Sequence, residues 1–148
     1  LHKEYRRQRQ MCIRDRLKEL QDEDDMGLIL ITHDLGVVAD VADDIAVMYC
    51  GRLVEHSDVH RLYANPAHPY TVGLIDSIPR LDQHGDKLFA IGGLPPSLTD
   101  LPAGCSFHPR CRFATDECRV GAAPEFHEVA PGRLSACHHT EEVLHERA

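Results

Sequence analysis

Four cysteines gather in the last third of the chain: Cys105, Cys111, Cys118 and Cys137. Five, six and eighteen residues separate them. Four thiolates suit a tetrahedral zinc ion or an iron–sulfur cluster. Structural zinc sites usually carry a pair of cysteines two to four residues apart, and no pair here is that tight. A cluster is bulkier than one ion, and wider loops can wrap it. The spacing therefore tilts toward iron and sulfur while leaving zinc open. His127, His138 and His139 are spare nitrogen donors, so a mixed cysteine–histidine zinc site also fits. Scattered histidines are, however, more often surface residues. His108, Arg110, Arg112 and Arg119 crowd the same stretch. Their charge could offset that of four thiolates, or they could form an ordinary solvated loop face. Phe107 is placed to shield the site and Pro109 to stiffen the loop. Ordinary packing and turn chemistry would explain both equally well.

Disulfides are the competing use of these thiols. The N-terminal residues are polar and basic, with no apolar leader segment. The expected compartment is therefore the cytosol, where structural disulfides are rare and clustered cysteines point to metal. Of the 148 residues, 43% are hydrophobic and 27% charged, which argues for a folded chain rather than a disordered one. The net charge of -8 removes the basic footprint of a general nucleic-acid binder. No apolar run approaches the roughly 18 residues that span a bilayer.

A second candidate is His33, in Thr32-His33-Asp34. It follows Gly27-Leu-Ile-Leu-Ile-Thr32, a short continuous apolar run that predicts a strand buried on both faces, as in a parallel sheet covered by helices. Ligands of such sheets bind at the carboxyl ends of the strands. A histidine that merely hydrogen-bonds at a strand end is the plainer alternative. Asp34 is read as a cap for the following helix rather than as a catalytic group.

The elements around these residues follow from periodicity. Leu35, Val38, Val41, Ala42 and Ile45 fall on one helical stripe. Residues 45–56 predict two strands joined at Cys50-Gly51, with glycine supplying the turn and Cys50 merely flanking it. Ser57 or Asp58 starts a helix through Tyr63, stopped by Asn65-Pro66. Tyr70, Leu74 and Ile78 predict another helix, ended by Pro79. Residues 88–104, rich in glycine and proline, predict an extended connector. The cysteine-rich end shows little periodicity and is expected to need a staple.

Residues 1–16 stand apart. Met11-Cys-Ile-Arg-Asp-Arg16 resembles the translation of a sequencing adaptor, so 1–16 is expected to be a non-native segment and Cys12 to carry no chemistry.

Over residues 17–143 the sequence resembles the ATP-binding subunits of ABC importers in the oligopeptide/dipeptide family. The resemblance rests on Ile31-Thr-His-Asp-Leu-Gly-Val-Val38, on His68-Pro-Tyr-Thr71, on Pro95-Pro-Ser-Leu98 and on the spaced cysteines. It implies an α/β fold: the C-terminal piece of a P-loop NTPase domain with its switch histidine (17–64), an irregular cysteine-rich metal-binding extension (65–143) and a short tail (144–148). It implies that His33 contacts the γ-phosphate of ATP and helps place the attacking water. It further implies that Cys105, Cys111, Cys118 and Cys137 hold a four-iron four-sulfur cluster, with zinc as the alternative. ATP and Mg2+ would be cofactors of the intact parent. A second ATPase subunit and membrane permeases would be its direct partners, and a peptide-binding protein an indirect one, at the cytoplasmic face of the membrane.

The 148 residues contain no G-x-x-x-x-G-K-[ST] phosphate loop, and the family's signature motif and Walker B carboxylates are missing too. The chain is therefore expected to be a truncated subunit that does not hydrolyse ATP alone. A free-standing metal-binding regulatory or structural module is the alternative function.

Overall fold

The computed structural model describes residues 15–17, 19–21, 23, 24, 26–78 and 90–146. The adaptor-like stretch up to residue 14, Cys12 and the predicted helix stop at Pro79 lie outside them. Two compact units are present, divided between Val41 and Ala42.

In the first unit, residues among 15–24 are helical, and residues 26–32 follow with no regular secondary structure. The strand expected over 27–32 is thus not formed. A strand persists only as part of a ladder, and the described sheet includes no segment paired with this run. Ile29 and Ile31 are 90% and 94% exposed rather than buried on both faces. Helix α1 follows at Leu35–Val41. Asp34 begins it as expected: its Oδ1 accepts the Val37 N–H at 3.3 Å. The expected stripe through Ile45 is cut short, because Ile45 belongs to the next strand.

The second unit is built on an antiparallel sheet, which begins with the hairpin expected over residues 45–56. Strand β1 (Asp44–Tyr49) alternates strictly, with Ile45, Val47 and Tyr49 inside and Asp44, Ala46 and Met48 outside. That period of two overrides the helical pattern. Strand β2 (Arg52–Asp58) pairs back on it through Tyr49↔Arg52, with a bulge after Val47. The turn places Cys50 at φ 47° and Gly51 at φ 77°. Two successive positive φ angles give the right-handed hairpin its favoured twist.

Asp58 caps α2 (Val59–Ala64), accepting the Arg61 N–H at 3.0 Å, and Asn65 closes it. Helix α3 (Pro69–Asp76) starts at a His68 cap with proline at its first position, where the missing N–H costs nothing. Residues 90–104 form the expected irregular connector. Ile91 packs on Gly73 so closely that a side chain at Gly73 would collide with it.

The cysteine-rich end is more regular than its sequence suggests. It holds a 3-10 turn at His108–Arg110, α4 (Asp116–Arg119), β3 (His127–Ala130), β4 (Arg133–Ser135) and α5 (Thr140–Glu146). Strands β4 and β3 extend the hairpin into a sheet of order β1-β2-β4-β3. The core beneath includes Leu62, Val72, Ile75, Phe107 and Val143, all buried. Strand β2 pairs with a partner strand that local periodicity did not announce, through Glu55↔Ser135 and His56↔Leu134.

Candidate functional site

The 3-10 turn and α4 place three of the four cysteines by local hydrogen bonds. Cys105 donates its N–H to the Cys118 carbonyl at 3.0 Å, and His108 donates to the Cys105 carbonyl at 3.0 Å. Cys111 donates to the His108 carbonyl at 3.2 Å. Gly104 makes this approach possible. Its φ is 69°, and an added Cβ would collide with the Cys118 carbonyl. Both facts call for glycine. The fourth thiol, Cys137, comes from beyond β4. Its carbonyl accepts the Thr140 hydroxyl at 3.2 Å, and its sulfur accepts the His139 N–H at 3.4 Å.

All four cysteines line one cleft, together with His68 and Phe107. Burial pushes the Cys105 thiol up. It pushes Cys111 up to about 11 and Cys137 up to about 12, with the neighbouring cysteines adding to both shifts. Thiols held neutral in this way are poor nucleophiles. A metal would have to displace their protons. Among the described residues, no three histidine, cysteine, aspartate or glutamate side chains converge tightly enough to hold a single metal ion.

Most of the cations crowding this stretch have other partners. Arg110 donates to the carbonyls of Gly92 at 2.9 Å and Ile91 at 3.1 Å, and reaches the Tyr49 hydroxyl at 3.4 Å. It straps the connector rather than facing the thiols. Arg119 pairs with Asp116 at 2.8 Å. Arg112 pairs with Glu146 at 3.0 Å and makes only a minor contribution at Cys111. His108 does line the cleft, and its Nδ1 bonds the Cys105 carbonyl at 2.9 Å. A carbonyl only accepts, so Nδ1 carries the proton. His138 and His139 also line the cleft, beside Glu117 at 3.6 Å and Glu142 at 3.3 Å. His139 Nε2 also meets the Thr115 hydroxyl at 2.9 Å. His127 is exposed and bonded to the Glu125 carbonyl at 3.0 Å, away from the cleft. Phe107 is buried as expected, against Tyr49 (5.2 Å), Tyr70 (5.4 Å) and His68 (6.0 Å) between ring centres.

Three residues to which sequence reasoning gave no role shape this region. Glu55 is fully buried in β2. Its carboxylate accepts the N–H groups of Ala67 at 2.7 Å and His68 at 2.9 Å, and pairs with Arg133 at 3.3 Å. Burial raises its pKa, and the Ala67 N–H leads the contacts that pull it back. His68 is buried as well, and burial pushes its pKa down to about 3, so the ring is neutral. Only His-Pro at a helix start hinted at His68. Glu55 and Arg133 are separated by 78 residues and left no local signal.

His33 sits in the first unit, exposed, at a bend. The Asp34 N–H donates to the Thr32 hydroxyl at 3.0 Å, closing a small turn around it. No helix among the described residues is long and apolar enough to cross a membrane.

Residues 54–118 match the family model described as the oligopeptide/dipeptide transporter, C-terminal region. The chain is 46% identical over 121 residues to the oligopeptide transport ATP-binding protein OppD of Haemophilus influenzae, covering 82% of this chain and 37% of that protein. The Escherichia coli protein of the same name gives 46% over 121 residues, covering 82% and 35%. That of Mycobacterium bovis gives 50% over 135 residues, covering 90% and 22%. The chain thus spans about a third or less of these relatives' length. Taken with the mixed α/β fold, these matches show that the chain belongs to the family of oligopeptide/dipeptide transporter ATP-binding subunits.

Proposed function

We propose that this chain serves as part of the ATP-binding subunit of an ABC importer that energises peptide uptake. The observation that carries the reading is its 46–50% identity, over 82–90% of its length, to proteins named for oligopeptide transport and ATP binding. In this reading residues 17–64 close the ATPase domain, and 65–143 form the extension. His33 is the switch histidine. Its imidazole donates a hydrogen bond to the γ-phosphate of Mg2+-bound ATP, holding charge where it develops in the transition state. The subunit works at the cytoplasmic face of the membrane with a second ATPase subunit and permeases, and indirectly with a peptide-binding protein.

The cleft is proposed to hold a four-iron four-sulfur cluster on Cys105, Cys111, Cys118 and Cys137. What supports the reading is that all four cysteines line one cleft; zinc on the same thiols is the alternative. When bound, such a cluster supplies folding energy through its thiolate bonds.

The test of the parent function is a graft. Residues 17–143 replace the matching segment of an oligopeptide transport ATP-binding protein, and peptide uptake and ATP turnover are measured. Uptake is expected to persist. His33→Ala in the graft is expected to cut turnover by roughly 100-fold or more. A graft that folds and binds ATP but supports no uptake would contradict the reading.

A further inference from the structure

Cys105, Cys111 and Cys118 are tied to one another by main-chain bonds in one short stretch. Cys137 reaches the cleft from beyond β4, so its distance from the other three depends on contacts between separate segments. One such contact is built from two side chains. The Thr115 hydroxyl lies 3.7 Å from Cys118 Sγ and 2.9 Å from His139 Nε2. The His139 N–H in turn donates to Cys137 Sγ at 3.4 Å.

Thr115 stands at the N-cap of α4, where a threonine hydroxyl ordinarily accepts an N–H of the first helical turn. Here it makes no such bond. The hydroxyl meets a sulfur and a ring nitrogen instead. The Thr115 carbonyl still accepts the Cys118 N–H at 3.2 Å, which keeps the hydroxyl and the Cys118 thiol within one turn. His139 is anchored on the other side. Its ring lines the cleft, and its carbonyl accepts the Val143 N–H at 3.0 Å as α5 begins.

A hydroxyl can donate one hydrogen bond and accept others. With Cys118 as a thiol, its S–H donates to the hydroxyl, which donates to Nε2. With a thiolate, the hydroxyl donates to the sulfur and receives the Nε2–H. The bridge therefore serves the metal-free chain and one whose thiols have given up their protons to a metal. We infer that Thr115 is a positioning residue for the cleft: its hydroxyl joins Cys118 to the His139 segment and so sets the distance between Cys118 and Cys137. Thr115 does not itself line the cleft, so it acts through its neighbours and not as a ligand. The inference rests on the cluster reading above, and its test separates the two.

Three variants of the 148-residue chain dissect the bridge. Thr115→Val removes the hydroxyl at similar shape, and Thr115→Ser keeps it. Because the hydroxyl does not cap α4, the Val variant strips no helix cap. His139→Ala removes the other half of the bridge. Iodoacetamide labelling of the metal-free chains is read at each cysteine. Cys137 is expected to react about fivefold faster in the Val variant, the scale of losing one hydrogen bond, and less than about twofold faster in the Ser variant. A merely local role for Thr115 would move Cys118 and leave Cys137 unchanged. His139→Ala reads the bridge from its other end, where Cys118 is expected to react about fivefold faster.

Each chain is also reconstituted anaerobically with iron and sulfide and then challenged with an iron chelator. The Val variant is expected to lose iron about tenfold faster than the parent, the weight that groups bonded to metal ligands commonly carry, and the Ser variant at close to the parent rate. Parent-like labelling of Cys137 in a folded Thr115→Val chain overturns the inference, as do equal rates in the Val and Ser variants or parent-like iron loss in the Val variant. If the Val variant does not fold, parent-like labelling of Cys118 in His139→Ala overturns it. If the parent takes up no iron, the cluster reading fails, and the labelling rates alone decide the role of Thr115.

Discussion

Cys105 donates its backbone N–H to the carbonyl of Cys118 at 3.0 Å, so two of the four thiols are set side by side by the main chain itself. The pairing depends on Gly104, whose backbone packs against Cys118 in a left-handed conformation. Gly104→Ala is expected to cost about 1–3 kcal/mol and to break this pairing. Urea unfolding of the metal-free chain, with the iron content of the reconstituted one, checks both parts. Parent-like stability and loading would show that the close approach is dispensable.

A second expectation concerns the buried ion pair. Glu55→Ala leaves the Arg133 guanidinium in the core without its countercharge and strips the Ala67 and His68 N–H groups of their acceptor. Breaking a buried pair from one side costs about 3–5 kcal/mol. Glu55→Gln retains an acceptor and is expected to cost less. Denaturant midpoints of the two variants give the comparison.

Stability should also depend on pH through His68. The folded ring has its pKa pushed down to about 3, against 6.5 when unperturbed. The contribution is complete above pH 6.5. It is lost as pH falls toward 3, because the unfolded chain takes up a proton that the folded chain refuses. The slope is at most about 1.4 kcal/mol per pH unit. Urea midpoints of the metal-free chain should fall between about pH 7.5 and about pH 5.5, and His68→Gln should flatten the part due to this ring.

The apolar run before His33 leads to a prediction about solubility. Ile29 and Ile31 are almost fully exposed, and consecutive exposed apolar residues invite self-association. Ile29→Ser with Ile31→Ser is expected to reduce the aggregated fraction in light scattering at equal concentration. An unchanged fraction would place the sticky surface elsewhere.

How much of this was legible depended on the range of each interaction. The Cys50-Gly51 hairpin, the Asp34 and Asp58 caps and the stop at Asn65-Pro66 are local events, and local sequence announced them. Residues 28–31 carry the pattern of a buried strand, but a strand also needs a partner, which composition cannot supply. The β2–β4 pairing joins residues 80 positions apart, and the Glu55–Arg133 pair is as distant; neither has a periodic signature. The cysteines were visible as candidates from their spacing. That they share one cleft became visible only from the fold.

The most direct measurement is the inorganic content of the cleft. The chain is purified without oxygen, and iron, acid-labile sulfide and zinc are measured per chain, with Cys111→Ala as control. The account predicts about four iron and about four sulfide per chain, a loss of the four-iron form in Cys111→Ala, and no stoichiometric zinc. Stoichiometric zinc without sulfide, or the same metal content in Cys111→Ala as in the parent, would contradict it.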